Sequence, residues 1–283
     1  MHKLRHLPVL GLLAVVFSPF ASAQTEPEGN PAPSARPATT IFTQTPAPTK
    51  DNFRIYLLMG QSNMAGRGSI AGSQATNPRL LMLDPEGRWV LAKDPLHQQV
   101  GRIKPGVGPG LSFAREMLKA DPKVTIGLVP CAVGGTPMQR WEKSKRGDLY
   151  KRAVERAQLA AQVGVISGVL WHQGESDTGK MGDAESYQAR LSRMIKNLRE
   201  DLGRPELPVV VGQLGEFLSV DEKHPGLEAV RAAIRKIPDV VPHNGYADSA
   251  GLKDKGDKLH FDADGANKLG VRYANAMQQL QKK

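Results

Sequence analysis

Chemistry in this chain is carried by four short polar or glycine-rich clusters: Gln61-Ser62-Asn63, Gly134-Gly135-Thr136, His172-Gln173-Gly174-Glu175 and Asp257-Lys258-Leu259-His260. A serine becomes a nucleophile when a base takes its proton, an acid orients the base, and donors face the developing oxyanion. The clusters hold all four parts. Ser62 follows an apolar run, residues 55–59, and Gly60 permits a sharp turn there. The serine is therefore expected at a strand's carboxyl end, exposed yet rigidly held. The simpler reading is that Ser62 only caps the next helix.

His260 is the favoured base. His97, His224 and His243 lie beside prolines or in loops without other chemistry, whereas His172 is a rival that continues an apolar strand. Asp257, three residues before His260, can fold back within one turn to accept a hydrogen bond from the ring. The same segment offers a metal reading, with Asp257, His260, Asp262 and Asp264 in eight residues. It lacks the spacing and distal Glu of a calcium loop, so Asp262 or Asp264 is expected to cap the last helix instead.

The elements that must position these clusters alternate. Strand patterns fall at residues 55–59, 124–133, 165–171, 207–212 and 240–247. Helical patterns fall at 111–120, 149–162, 187–202, 227–237 and from Asp262 or Asp264 to about 281. Residues 80–83 and 88–92 flank Asp84-Pro85-Glu86-Gly87 and read as a hairpin. Glycine-rich residues 106–110 resemble a phosphate loop only superficially, without a following Lys-Ser/Thr or a GxGxxG spacing, and read as a turn. This rhythm predicts an α/β fold with a central parallel sheet covered by helices on both faces. Its strand carboxyl ends share one rim, so distant clusters can converge.

The chain begins with Lys3 and Arg5, an apolar stretch at residues 7–20 and Ala21-Ser22-Ala23. That is the pattern of an export signal cleaved after Ala23, which predicts a periplasmic or secreted protein without stable membrane insertion. Residues 24–51 are rich in Pro, Ala, Thr and Ser and read as an extended spacer, leaving residues 52–283 as one domain. With 283 residues, 40% of them hydrophobic, the chain can build a sizeable core. Cys131 is the single cysteine, so no internal disulfide is available, and its apolar surroundings suggest a buried thiol. Net charge is +10, about +8 without the leader. The basic residues are dispersed without interleaved aromatics, which argues against nucleic acid as a partner.

GQSNMAG, PCAVGGT, WHQGESD and DKLHFD, in this order, resemble the four sequence blocks of the sialate O-acetylesterase-type carbohydrate esterases (carbohydrate esterase family six) of the SGNH/GDSL hydrolase superfamily. The resemblance spans residue 55 to the last helix. It implies a flavodoxin-like three-layer α/β/α sandwich that removes O-acetyl groups from carbohydrates without a metal or other cofactor. It assigns the nucleophile to Ser62 and the base to His260. The oxyanion donors it implies are the Ser62 backbone N–H, a backbone N–H of Gly134 or Gly135, and the Gln173 amide. Gln173 departs from the wider superfamily, which carries Asn there; Gln also bears an NH₂ donor, on a longer stem. The acid is Asp257, the superfamily's usual position, or Glu175 on the same rim. Gln61 and Asn63 beside the serine, and Arg140 and Trp141 after the glycine block, are expected to contact the acetylated sugar. Trp offers a stacking face and Arg a fork for a carboxylate, although packing is the alternative for Trp141. Rival readings are a lipase or thioesterase of the same superfamily, a sugar O-acetyltransferase and a sugar-binding pseudoenzyme.

Overall fold

In the computed structural model, residues 41–43, 46–72, 74–99 and 103–282 are described; the expected leader and most of the expected spacer lie outside them. Ile41–Phe42 (β1) precedes Phe53–Gly60 (β2), the strand on which the sheet is centred. All of β2 except Arg54 is buried. Ile55, Leu57 and Met59 enter one core, while Tyr56 and Leu58 enter the other. A strand covered on both faces needs apolar residues at successive positions, which is why residues 55–59 read as an unbroken run.

The chain continues through Ser62–Ala65 (α1), Leu80–Leu83 (β3), Arg88–Leu91 (β4), Pro109–Ala120 (α2), Thr125–Pro130 (β5) and Asp148–Ala161 (α3). It closes with Val165–His172 (β6), Met181–Asp201 (α4), Val209–Gly212 (β7), Leu227–Val240 (α5), Asn244–Ala247 (β8) and Ala263–Gln281 (α6). Among the described residues the sheet has the order β1-β4-β3-β5-β2-β6-β7-β8. Neighbours run parallel except β3 and β4, the expected hairpin, so the sheet is mostly rather than wholly parallel. The run β5-β2-β6-β7-β8 is the flavodoxin-like order 2-1-3-4-5. α3, α4 and α5 cover one face, and α2 and α6 the other.

Two expectations are corrected. The spacer does not run unstructured to residue 51, because Ile41–Phe42 pairs with Arg88-Trp89 as an edge strand. Phe42 packs against Trp89 and Phe53, a gain in apolar burial that a Pro- and Thr-rich composition conceals. Helix α4 begins at Met181, not 187; its first turns carry Gly182, Asp183 and Glu185, which blur the apolar period. No helix among the described residues is long and apolar enough to cross a membrane.

Candidate active site

β2 is the switch point of the sheet: β3, β4 and β5, which follow it, lie on one side, and β6, β7 and β8 on the other. Gly60 turns the chain out of β2 at φ +128°, and a Cβ there would lie 2.0 Å from the His172 carbonyl oxygen. Only glycine fits. The Gln61 N–H donates to that same carbonyl at 2.8 Å, tying the turn to β6. Ser62 then opens α1, with Gln61 rather than Ser62 at the cap position. Its Oγ lies 3.0 Å from His260 Nε2.

His260 reaches Ser62 from a tight turn built by Asp257. Oδ1 of Asp257 accepts from the Leu259 N–H at 3.0 Å and the His260 N–H at 2.8 Å, while Oδ2 meets His260 Nδ1 at 2.8 Å. Partial desolvation pushes the Asp257 carboxyl up. The hydrogen bonds from His260 and Leu259 outweigh it and hold the group well below the usual carboxylate range. For His260, desolvation lowers the pKa and outweighs the opposing pull of Asp257; Arg67 adds a smaller push down. A neutral imidazole whose Nδ1–H is donated to Asp257 presents an Nε2 lone pair to Ser62.

Glu175 does other work. Buried at 5% exposure, its Oε1 accepts from Asn63 Nδ2 at 2.6 Å. Asn63 Nδ2 also donates to Leu259 O at 3.1 Å, and Asn63 Oδ1 accepts from the Phe261 N–H at 3.1 Å. Asn63 thus clamps the two residues that flank His260 and is itself anchored by Glu175. Desolvation pushes the Glu175 carboxyl up. The rival base, His172, is fully buried, with Nδ1 3.1 Å from the Tyr273 hydroxyl, and desolvation takes its pKa down to about 3.

Several expected contacts are corrected. Gln173 is fully buried, and its Nε2 lies within hydrogen-bond distance of Thr136 O (3.1 Å), Gln61 Oε1 (3.2 Å) and an oxygen of Asp177. Two N–H bonds facing three acceptors leave no donor for an oxyanion. Asn63 has no polar atom left for substrate. Trp141 is fully buried, edge-on to Trp171, with its indole N–H on Thr136 Oγ1 at 3.2 Å. Arg140 gives its fork to Asp148. Gln61 is 2% exposed; its Oε1 accepts from Gln173 and from the Ser176 N–H, while its Nε2 meets no acceptor among the described residues.

The glycine block does come to the serine. A Cβ on Gly134 would lie 3.6 Å from Ser62 Cβ, and neither Gly134 nor Gly135 spends its N–H on a described acceptor. Gly135 turns at φ +67°. Asp177, which sequence reasoning passed over inside WHQGESD, accepts twice from the Met138 N–H, at 2.9 and 3.1 Å, and fixes Gln173. Asp262 caps α6 through the Gly265 N–H at 2.6 Å, and Asp264 pairs with Lys268. No cluster of three or more His, Cys, Asp or Glu side chains arranged to hold a metal occurs among the described residues.

Fold and rim together define an α/β protein with a mostly parallel, helix-covered sheet and a linked Ser62, His260 and Asp257 at its switch point. A sequence profile of the family described as carbohydrate esterase, sialic acid-specific acetylesterase, matches residues 52–279, and the chain belongs to that family of carboxylic ester hydrolases. A probable carbohydrate esterase of Arabidopsis thaliana, At4g34215, is 38% identical over 257 residues, covering 82% of this chain and 92% of that protein. The crystal structure of that plant protein superposes with a TM-score of 0.73 at 34% identity, over 82% of this chain and 99% of that one. A carbohydrate acetylesterase from Xanthomonas citri, XAC1771, shares the fold at 23% identity and a TM-score of 0.61, over 80% of this chain and 56% of the other. NanS shares it at 19% identity and a TM-score of 0.63, over 83% and 99%.

Proposed function

We propose that the protein hydrolyses O-acetyl esters of carbohydrates through an acetyl-enzyme on Ser62. The observation that carries this reading is the linked series Ser62 Oγ, His260 and Asp257, joined at 3.0 and 2.8 Å on the rim beside β2. His260 Nε2 takes the Ser62 proton as Oγ attacks the acetyl carbonyl, and Asp257 holds the tautomer and stabilises the imidazolium. The backbone N–H groups of Ser62 and Gly134 receive the oxyanion, with Gln61 Nε2 the side-chain amide at that corner still free to donate. The imidazolium gives its proton to the departing sugar oxygen, which leaves as a free hydroxyl. Water, deprotonated by His260, then releases acetate.

Acyl length tests the reading. A pocket shaped for acetyl should favour a 4-nitrophenyl acetate over the octanoate by at least about tenfold in kcat/KM, since single methylenes are worth about 1–3 kcal/mol. Faster turnover of the octanoate would move the protein to the lipase reading.

A further inference from the structure

We infer that Arg67 is a specificity residue of this site and reads a carboxylate on the acetylated sugar. The inference rests on the reading of the site as a carbohydrate O-acetylesterase. Arg67 follows the nucleophile by five residues, just past the end of α1, and its side chain turns back over the glycine block. Its Nη2 lies 2.3 Å from the point a Gly134 Cβ would occupy, and that same point is 3.6 Å from Ser62 Cβ. The missing side chain at Gly134 makes room for the guanidinium beside the nucleophile.

The guanidinium is half-buried, yet no carboxylate lies in ion-pair range of it among the described residues. Among the described residues its one hydrogen bond runs from Nη1 to the neighbouring Gly66 carbonyl at 2.7 Å. By contrast, half-buried Arg190 has Glu142 and Asp177, and buried Arg199 has the Leu207 and His243 carbonyls. Desolvation alone acts on Arg67, with no acidic group opposing it. A partly dehydrated cation without a counter-charge costs stability, and a bound anion removes that cost.

The guanidinium borders a small recess of about 40 Å³ lined also by Ala65, Gln98, Ile103, Pro105, Val133 and Gly134. The recess is large enough for a carboxylate, not for a sugar ring, so a ring held at the serine would present only its carboxylate to the forked cation. Arg offers two parallel N–H donors matched to a carboxylate's two oxygens, a geometry no neutral hydroxyl pair reproduces. The residue acts on binding and orientation. The protons of the reaction stay with Ser62 and His260.

The test compares a mono-O-acetylated uronic acid glycoside with its methyl ester, alongside 4-nitrophenyl acetate. Wild type should prefer the free acid by about tenfold or more in kcat/KM, mainly through KM, and the preference should shrink as salt is added. Arg67→Gln should bring the ratio close to one, and Arg67→Lys should keep part of it. Binding of the deacetylated acid and of its methyl ester, followed by ligand-observed NMR, gives a readout independent of turnover. Equal binding and equal turnover of acid and ester by wild type would overturn the role of Arg67. So would a preference that survives Arg67→Gln, or an equal loss on all three substrates, which would make Arg67 part of the oxyanion machinery. Arg67-dependent binding of the acid without turnover of any acetyl ester would instead overturn the esterase reading and leave the anion site standing. Should Arg67→Gln not fold, the acid-to-ester ratio of wild type and its salt dependence decide alone.

Discussion

Asp257 and Glu175 face the same rim as carboxylates of opposite character. Asp257 is half-exposed, held ionised by His260 and its turn, and touches the imidazole; Glu175 is buried, pushed toward its neutral form by desolvation, and touches Asn63. Asp257→Asn should therefore cost about 10³-fold or more in kcat, because the orienting acid of a triad fixes the tautomer of the base. Raising the pH should not restore it fully, since the wrong tautomer persists in the neutral ring. Glu175→Gln should cost less, about 10- to 10²-fold, through loosened geometry. Steady-state kinetics on an aryl acetate check both; a larger loss from Glu175→Gln would reverse the two roles. The DxxH spacing made Asp257 legible, because three residues suffice for a turn to fold back. Gln173 was not legible: the sequence shows an amide at the right block but not the Thr136, Gln61 and Asp177 oxygens that consume its hydrogens.

The loops after β2 and β6 and the segment before α6 are locked together by polar contacts. Asn63 spans them, joining Glu175 to the backbone on either side of His260. Replacing Glu175 by Gln keeps an acceptor for Asn63 Nδ2 and removes the cost of burying a charge. The sign follows from the raised pKa. The folded state holds the Glu175 proton to higher pH than the unfolded chain does. That stabilisation is complete below the ordinary Glu value of about 4.3 and is lost as pH rises through the folded value. The melting temperature of Glu175→Gln, relative to wild type, should accordingly climb as pH rises above the ordinary Glu value; a difference flat with pH would show that Glu175 is not buried as a strained carboxylate. Strands ending in glycine or polar clusters were readable because both-face burial forces continuous apolar runs such as residues 55–59. The edge strand Ile41–Phe42 was not, since two residues carry no period and its worth lies in contacts with Trp89 and Phe53.

Across the whole fold, the order β5-β2-β6 brings the ends of three strands beside one another, and α6 delivers the fourth cluster from the far end of the chain. Ser62 and His260 are 198 residues apart in sequence and 3.0 Å apart in space. Sequence order alone could suggest this convergence through the rule that parallel strands share a rim, but only the topology places β2 at the switch point. What the sequence could not carry was the choice between side chains that face the recess and those that pack beneath it. Arg140 and Trp141 stand near the glycine block in sequence yet turn to Asp148 and the core, while Arg67 turns toward the serine. On the proposed reading, this convergence makes Ser62 a nucleophile that carries the acetyl group. Rapid quenching of the wild-type protein with excess 4-nitrophenyl acetate, followed by peptide mass mapping, tests it most directly. One acetyl group is expected on the peptide at Ser62 within the first turnover, to be lost together with nearly all activity in Ser62→Ala. Acetyl on a different residue, or a Ser62→Ala variant that keeps more than about a hundredth of the wild-type rate, would contradict it.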